Sequence, residues 1–332
     1  MSGTGDMGMD AATRIRGSSG SAWMRRLGPF LGLLVVIAVF VAVPPHKGVS
    51  LLDVRTVLVH GVIVAIVGIG MTVVVISGGI DLSVGSGLAL CGVTAAMASA
   101  RGVPMVGVVL TAIGTGVLCG VYNGLLVTGL RLPAFLATLG TLGFFRGIAK
   151  WLAGSGVVSA PDHGLNAMMQ PIPASPAWLV APGVWLMAAL ALGAAGILRL
   201  TTFGRHMIAI GSNETAARHA GLRIGRCKVY VYAMCGGFVG VAGLLQFGRL
   251  TVGDPTGAVG YELDAVAAVV IGGGSLAGGS GSILGTVIGA LMMAYLRNRC
   301  AALMWPQFVQ EIIVGHIIIF AVAMDRWRRR GE

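Results

Sequence analysis

Long apolar runs recur along the chain at residues 27–43, 57–76, 83–100, 105–129, 133–153, 181–198, 227–247, 261–276, 282–296 and 307–324. A helix of about 20 apolar residues crosses a bilayer. The pattern therefore predicts an all-α integral membrane protein with about ten transmembrane helices. One interruption organises the rest. Ser77-Gly-Gly-Ile-Asp-Leu-Ser-Val-Gly-Ser-Gly87 sets a carboxylate and several glycines between two apolar runs. A charge in hydrocarbon costs several kcal/mol unless it faces protein or water. The stretch either separates two full spans or breaks one re-entrant span.

The interruption has an echo. At an offset of 194 (Gly78 to Gly272), Gly78, Gly79, Leu82, Gly85, Ser86, Gly87 and Leu90 meet Gly272, Gly273, Leu276, Gly279, Ser280, Gly281 and Leu284. Helix breaks are thus expected near Asp81 and Gly274, built from Gly78, Gly79, Asp81, Ser83 and Gly85 in the first copy and Gly273, Gly274, Gly278 and Gly279 in the second. Paired breaks in the two halves of a transporter mark the solute pathway. Two tight cytoplasmic turns are the plainer reading. Asp81, followed by an apolar helix, is expected to cap that helix. A direct role in handling substrate or protons is the alternative.

Composition narrows the class. Of 332 residues 56% are hydrophobic and 11% charged, with mean hydropathy +0.88; soluble domains carry about 25% charged residues. The net charge of +11 does not point to nucleic acid, because the basic residues sit between apolar runs. They follow the positive-inside rule. With both termini cytoplasmic, the strongest clusters, Arg199 to Lys228 and Arg326 to Arg330, fall inside. Residues 1–26 read as a disordered cytoplasmic tail, 27–325 as one polytopic transmembrane domain, 199–228 as its cytoplasmic loop and 326–332 as a basic cytoplasmic tail. A signal peptide is disfavoured, because Pro-Pro-His-Lys rather than a small-residue cleavage site follows Val43. The five cysteines lack paired spacing and read as packing residues. The six histidines show no metal spacing, and His316, inside a span, reads as a core residue.

The basic loop carries a short helix over 214–220. Asn213 suits its N-cap, Glu214 its positive end and Gly221 its C-terminus, with Glu214 and Arg218 spaced for an ion pair. So short a helix is unstable alone and something must pack against it; simple docking on the membrane face is the plain reading, and presentation to a cytoplasmic partner the sharper one. Glu262 and Asp264 open the eighth run and Glu311 the tenth, all expected near the outer face; snorkelling to water or pairing with an arginine is the plain expectation, and a polar mouth for an incoming solute the sharper one. Asn123, Thr138, Thr141, Gln246 and Glu262 are the candidates for a polar translocation path. The stretch 273–280 lacks the lysine of a phosphate loop. No nucleophile–base or metal constellation is present, so the chain is not expected to be an enzyme.

Four stretches together resemble a family. They are Gly78-Gly-Ile-Asp-Leu-Ser-Val-Gly-Ser86, Leu132-Pro-Ala-Phe-Leu-Ala-Thr-Leu-Gly-Thr-Leu142 with Arg146-Gly147, the loop from Thr202 through Ala209-Ile-Gly-Ser-Asn-Glu-Thr-Ala-Ala-Arg-His-Ala-Gly221, and Gly260-Tyr-Glu-Leu-Asp through Ser282. In order and spacing the chain is similar to the permease subunits of bacterial ABC importers for monosaccharides, such as ribose, arabinose or xylose. The resemblance implies a second permease chain, an ATPase subunit that binds ATP and Mg, a periplasmic sugar-binding protein, the inner membrane as location and no cofactor in this chain. It also implies an ATPase-coupling segment at Arg205, Gly211, Asn213, Glu214, Ala217, Arg218 and Gly221. Ser212 stands where the family usually has glycine, and 297–305 departs from its usual apolar connection. The alternatives are an ion-coupled secondary transporter, with Asp81 as its charge site, or an ABC permease for a nucleoside or other non-sugar solute.

Overall fold

The computed structural model describes residues 34, 38, 50–173 and 179–329. The expected tail 1–26 and, apart from two isolated positions, the run 27–43 lie outside the described residues, as do residues 330–332 of the basic tail. In chain order the elements are α1 (Leu51–Ile76), α2 (Val84–Ala100), α3 (Met105–Gly129), α4 (Ala134–Leu152), β1 (Val158–Ser159), α5 (Leu165–Met168), α6 (Pro182–Leu200), α7 (Thr202–Ser212), α8 (Glu214–His219), α9 (Ile224–Leu250), β2 (Val252–Gly253), α10 (Tyr261–Ile271), α11 (Ile283–Ala302) and α12 (Gln307–Arg329). The two short strands pair antiparallel, Val158 with Gly253 and Ser159 with Val252.

Among the described residues, α1, α3, α6 and α9 are long and apolar enough to cross a membrane. α1 is the centre. Ser50 and Asp53 form a capping box at its start, and residues 61–76 are all buried. A helix apolar on every side belongs inside a bundle. α2, α9, α10 and α11 surround and extend that core.

Glycine sets how closely the helices approach. Gly116, Gly120 and Gly124 line one face of α3, and Gly236 and Gly240 one face of α9. A Cβ on any of the five would overlap backbone of the facing helix. Small residues at four-residue spacing permit such contact in membranes, where dispersion and polar contacts drive association. α11 uses the same device, with Gly285 against Gly272 and Gly289 against Ala268. Thr72 of α1 and Thr286 of α11, both fully buried, join their hydroxyls at 2.7 Å.

Three expectations are corrected. The run 261–276 is not a full span. α10 stops at Ile271 after 11 residues, about 16 Å at the usual rise, half the hydrocarbon thickness of about 30 Å. Gly272 and the left-handed Gly273 end it. The echo is also shifted by one residue. α1 and α10 end in the same Schellman motif. Gly78 N–H donates to Val75 O at 2.9 Å and Gly79 N–H to Val74 O at 3.0 Å; Gly273 N–H donates to Val270 O at 3.0 Å and Gly274 N–H to Val269 O at 2.8 Å. The two backbones therefore correspond at an offset of 195 (Gly78 to Gly273). Finally, His316 is exposed rather than in the core, and its ring nitrogen bonds the Ile312 carbonyl at 2.8 Å.

Leucine at Gly120 should disrupt the α3–α9 contact, since overpacking costs about 1–3 kcal/mol. The thermal unfolding midpoint in detergent should fall. Alanine at Gly143, inside α4 where a Cβ meets open space, should leave it unchanged or raise it slightly, since alanine favours a helix by about 0.5–1 kcal/mol over glycine.

Candidate coupling and translocation site

The first break is held by a buried polar cluster. One Asp81 carboxylate oxygen, Oδ1, accepts the Ser83 N–H at 2.9 Å and the Ser83 hydroxyl at 2.6 Å. This is an Asx turn. The cap expectation is thereby corrected in detail, because α2 starts at Val84 with Ser83 at its cap position, and Asp81 acts two residues upstream. Asn123, projecting from α3, donates its amide to both Asp81 oxygens at 3.3 Å and to the Ser83 hydroxyl at 2.8 Å. The Thr138 hydroxyl of α4 donates to the Ile80 carbonyl at 3.1 Å. Thr141, also buried, bonds the Thr138 carbonyl. Two of the expected path residues, Asn123 and Thr138, thus tie the break to α3 and α4, whereas Thr141 bonds back within its own helix. Sequence reasoning missed Tyr232 of α9. It is fully buried, with its hydroxyl where any side chain at Gly79 would clash.

The short helix expected over 214–220 is α8. Asn213 accepts the Ala216 N–H at 2.9 Å, and Gly221 adopts φ +82°. Ala217 is buried with Ile210 and Ile224, the packing that so short a helix requires. Glu214 bridges two cations, Lys228 of α9 at 2.6 Å and Arg218 at 3.0 Å. The Lys228 hydrogen bond and charge, with Arg218 adding to them, hold the Glu214 carboxyl below the usual glutamate range. Arg205 is exposed on α7.

At the end of α7, Gly211 meets both breaks at once. A Cβ there would overlap the Ile76 carbonyl and the Gly279 nitrogen. Gly279 N–H donates to Ile76 O at 2.9 Å. Gly278, with φ +91°, packs against the Gly211 carbonyl and the Cα of Gly78, while Gly279, with φ +76°, packs against Ser212. Three segments far apart in sequence share one backbone contact.

Away from this contact, Arg146 of α4 donates to the carbonyls of Pro255 at 2.9 Å and Gly257 at 2.6 Å. It anchors the connection from β2 to α10. Gly260 N–H donates to Glu262 Oε1 at 3.2 Å, and the other Glu262 oxygen lies over Gly85. Asp264, fully buried, pairs with Arg297 of α11 at 2.8 Å. That pairing accounts for the departure at 297, since a buried carboxylate needs a partner. Among the described residues, no group of three or more His, Cys, Asp or Glu side chains is placed to hold a metal ion.

The family model described as branched-chain amino acid transport system / permease component matches residues 54–322. The chain belongs to this family. It is 36% identical to the ribose import permease protein RbsC of Escherichia coli K12, over 92% of this chain and 94% of the relative. It is equally similar to the RbsC of Bacillus subtilis 168, at 36% over 91% and 93%. The autoinducer 2 import system permease protein LsrC of Yersinia pseudotuberculosis YPIII is 35% identical, over 79% and 74%. No solved structure matches significantly. The matched region of this permease contains every residue of the site, both breaks and the α7–α8 loop included.

Asp81→Ala should leave the Ser83 N–H and hydroxyl without their acceptor and the Asn123 amide with only the Ser83 oxygen, a loss of about 1–3 kcal/mol. Asp81→Asn keeps an acceptor oxygen and should retain most of the thermal stability. Equal destabilisation by the two variants in a detergent melt would contradict the hydrogen-bonding account.

Proposed function

We propose that this permease forms the membrane pathway of an ATP-driven importer for a monosaccharide of the ribose, arabinose or xylose kind. The observation that carries the coupling half of the reading is the Gly211 contact, which puts one loop against both helix breaks. A partner that moves α7–α8 would move both. In this reading the partner is an ATPase subunit that binds ATP and Mg, docking on the exposed basic surface of Arg205, Arg218, Arg223 and Arg226. The chain itself breaks no bond and holds no cofactor. Arg205, Gly211, Asn213, Glu214, Ala217, Arg218 and Gly221 form the coupling segment.

The α7–α8 end is assigned to the cytoplasm by its Lys/Arg density, and the termini with it. A second permease chain, identical or a sister, completes the pathway, and a periplasmic sugar-binding protein delivers the solute. The sugar assignment rests on the ribose permeases, which align over more than nine-tenths of both chains. The family description speaks of branched-chain amino acids, so solute class is to be measured directly. Ligand binding by the importer's solute-binding protein should favour ribose over leucine. Leucine binding alone would contradict the sugar assignment.

Glu214→Lys places a third cation beside Lys228 and Arg218 and detaches α8 from α9. ATP-driven uptake should fall at least about tenfold while the chain still inserts and the ATPase still turns over. Unchanged uptake would contradict the coupling role. The pH sign follows from the lowered Glu214 value. Its ion pairs contribute fully above the unfolded glutamate value and are lost as pH falls through the lower folded one. Hydrogen exchange at α8 should therefore stay slow at neutral pH and rise only under more acidic conditions than an ordinary glutamate would require.

A further inference from the structure

Two fully enclosed oxygens beside α2 have no hydrogen-bond partner, Glu262 Oε2 and Gln246 Oε1. The first lies over Gly85. The second belongs to a residue lining a recess with Leu88, Ala89, Gly92, Asp254 and Gly257. Gly85, Ala89 and Gly92 follow helical spacing on one face of α2, so both oxygens border one strip of small residues. Leaving a buried acceptor unpaired costs about 1–3 kcal/mol, and such exceptions call for an explanation.

The backbone opposite the strip is irregular. Between β2 and α10 the chain runs non-helically over residues 254–260, and Arg146 anchors it through the Pro255 and Gly257 carbonyls. It leads into the half-length α10, whose first turn carries Glu262. Half-length helices mark solute sites in other transporters. Three independent features, the orphaned acceptors, the small-residue strip and the irregular segment, meet at one place.

We propose that this strip is a contact station for a neutral polyhydroxylated solute, an inference that rests on the sugar-permease reading above. Solute hydroxyls would donate to the Glu262 and Gln246 oxygens that lack donors. Glu262 and Asp254 disfavour a solute that carries a carboxylate, which sets sugars apart from amino acids. The enclosed part of the recess has room for about one water molecule. The 254–260 segment must therefore withdraw from α2 before a solute enters. Contact is transient, as conduction requires.

The test uses the full importer, with its ATPase and binding protein, in proteoliposomes. Ala89→Cys is compared with the unmodified chain for labelling by a membrane-impermeant methanethiosulfonate, with D-ribose as the solute. Labelling should require ATP and should slow when ribose is carried. Absence of labelling in every state, or labelling indifferent to ribose during ribose transport, overturns the proposal. If the unmodified importer does not carry ribose, the sugar reading fails separately, and the strip still stands or falls on ATP-dependent labelling. Gln246→Leu supplies a second readout. The KM for ribose should rise about tenfold, as loss of one buried hydrogen bond implies. An unchanged KM in a folded, assembled variant also overturns the proposal.

Discussion

The carbonyl of Ile76 holds the structure's most consequential hydrogen bond. A helix leaves its last four carbonyls without helical partners, and buried ones must be satisfied elsewhere. At the end of α1, Val73, Val74 and Val75 are served by the backbone N–H groups of Ser77, Gly78 and Gly79. Ile76 is served by Gly279, from the other break. Gly211 lies against that bond so closely that even a methyl group there would displace it. The end of the central helix, the second break and the α7–α8 loop are therefore positioned by one another.

The remaining features depend on that contact. The Schellman turn at Gly78 directs the chain back toward the bundle, where Asp81 and Ser83 shape the turn between α1 and α2 and Asn123 of α3 holds it. The matching turn at Gly273 does the same for α11 without an acid, and Gly285 and Gly289 bring α11 against α10. The two breaks differ in content but share their helix ends. The two breaks are joined directly by the bond from Gly279 N–H to Ile76 O. At the first break both Asp81 oxygens are hydrogen-bonded, whereas one oxygen of Glu262 and that of Gln246 have no partner.

Much of this was legible in the sequence where a short-range rule applied. The α8 helix could be read from Asn213, Glu214 and Gly221 because caps and glycine termini act within a few residues. The breaks were visible because glycines and an acid stand out against hydrocarbon. What the sequence hid was long-range. The true length of α10 depends on where its Schellman turn falls, not on where the apolar run ends. The partner of Asp264 lies 33 residues away on α11, and nothing local names Arg297. Asn123 and Thr138 were noticed for their polarity, but polarity alone does not distinguish a residue that faces a solute from one that ties down a turn. Tyr232 escaped notice because its role lies in its packing against Gly79. The one-residue shift of the echo arose because matching glycines were aligned on identity, whereas the backbone aligns on left-handed turns.

In the proposed coupling, movement of the α7–α8 loop enters the bundle at Gly211. The most direct test is the number of solute molecules imported per ATP hydrolysed by the assembled importer carrying Gly211→Ala. A methyl group there must push α7 away from Ile76 and Gly279. Import per ATP should collapse while the ATPase continues to turn over and the complex stays assembled. An unchanged ratio in a stable complex would contradict the claim that both breaks are driven through this contact.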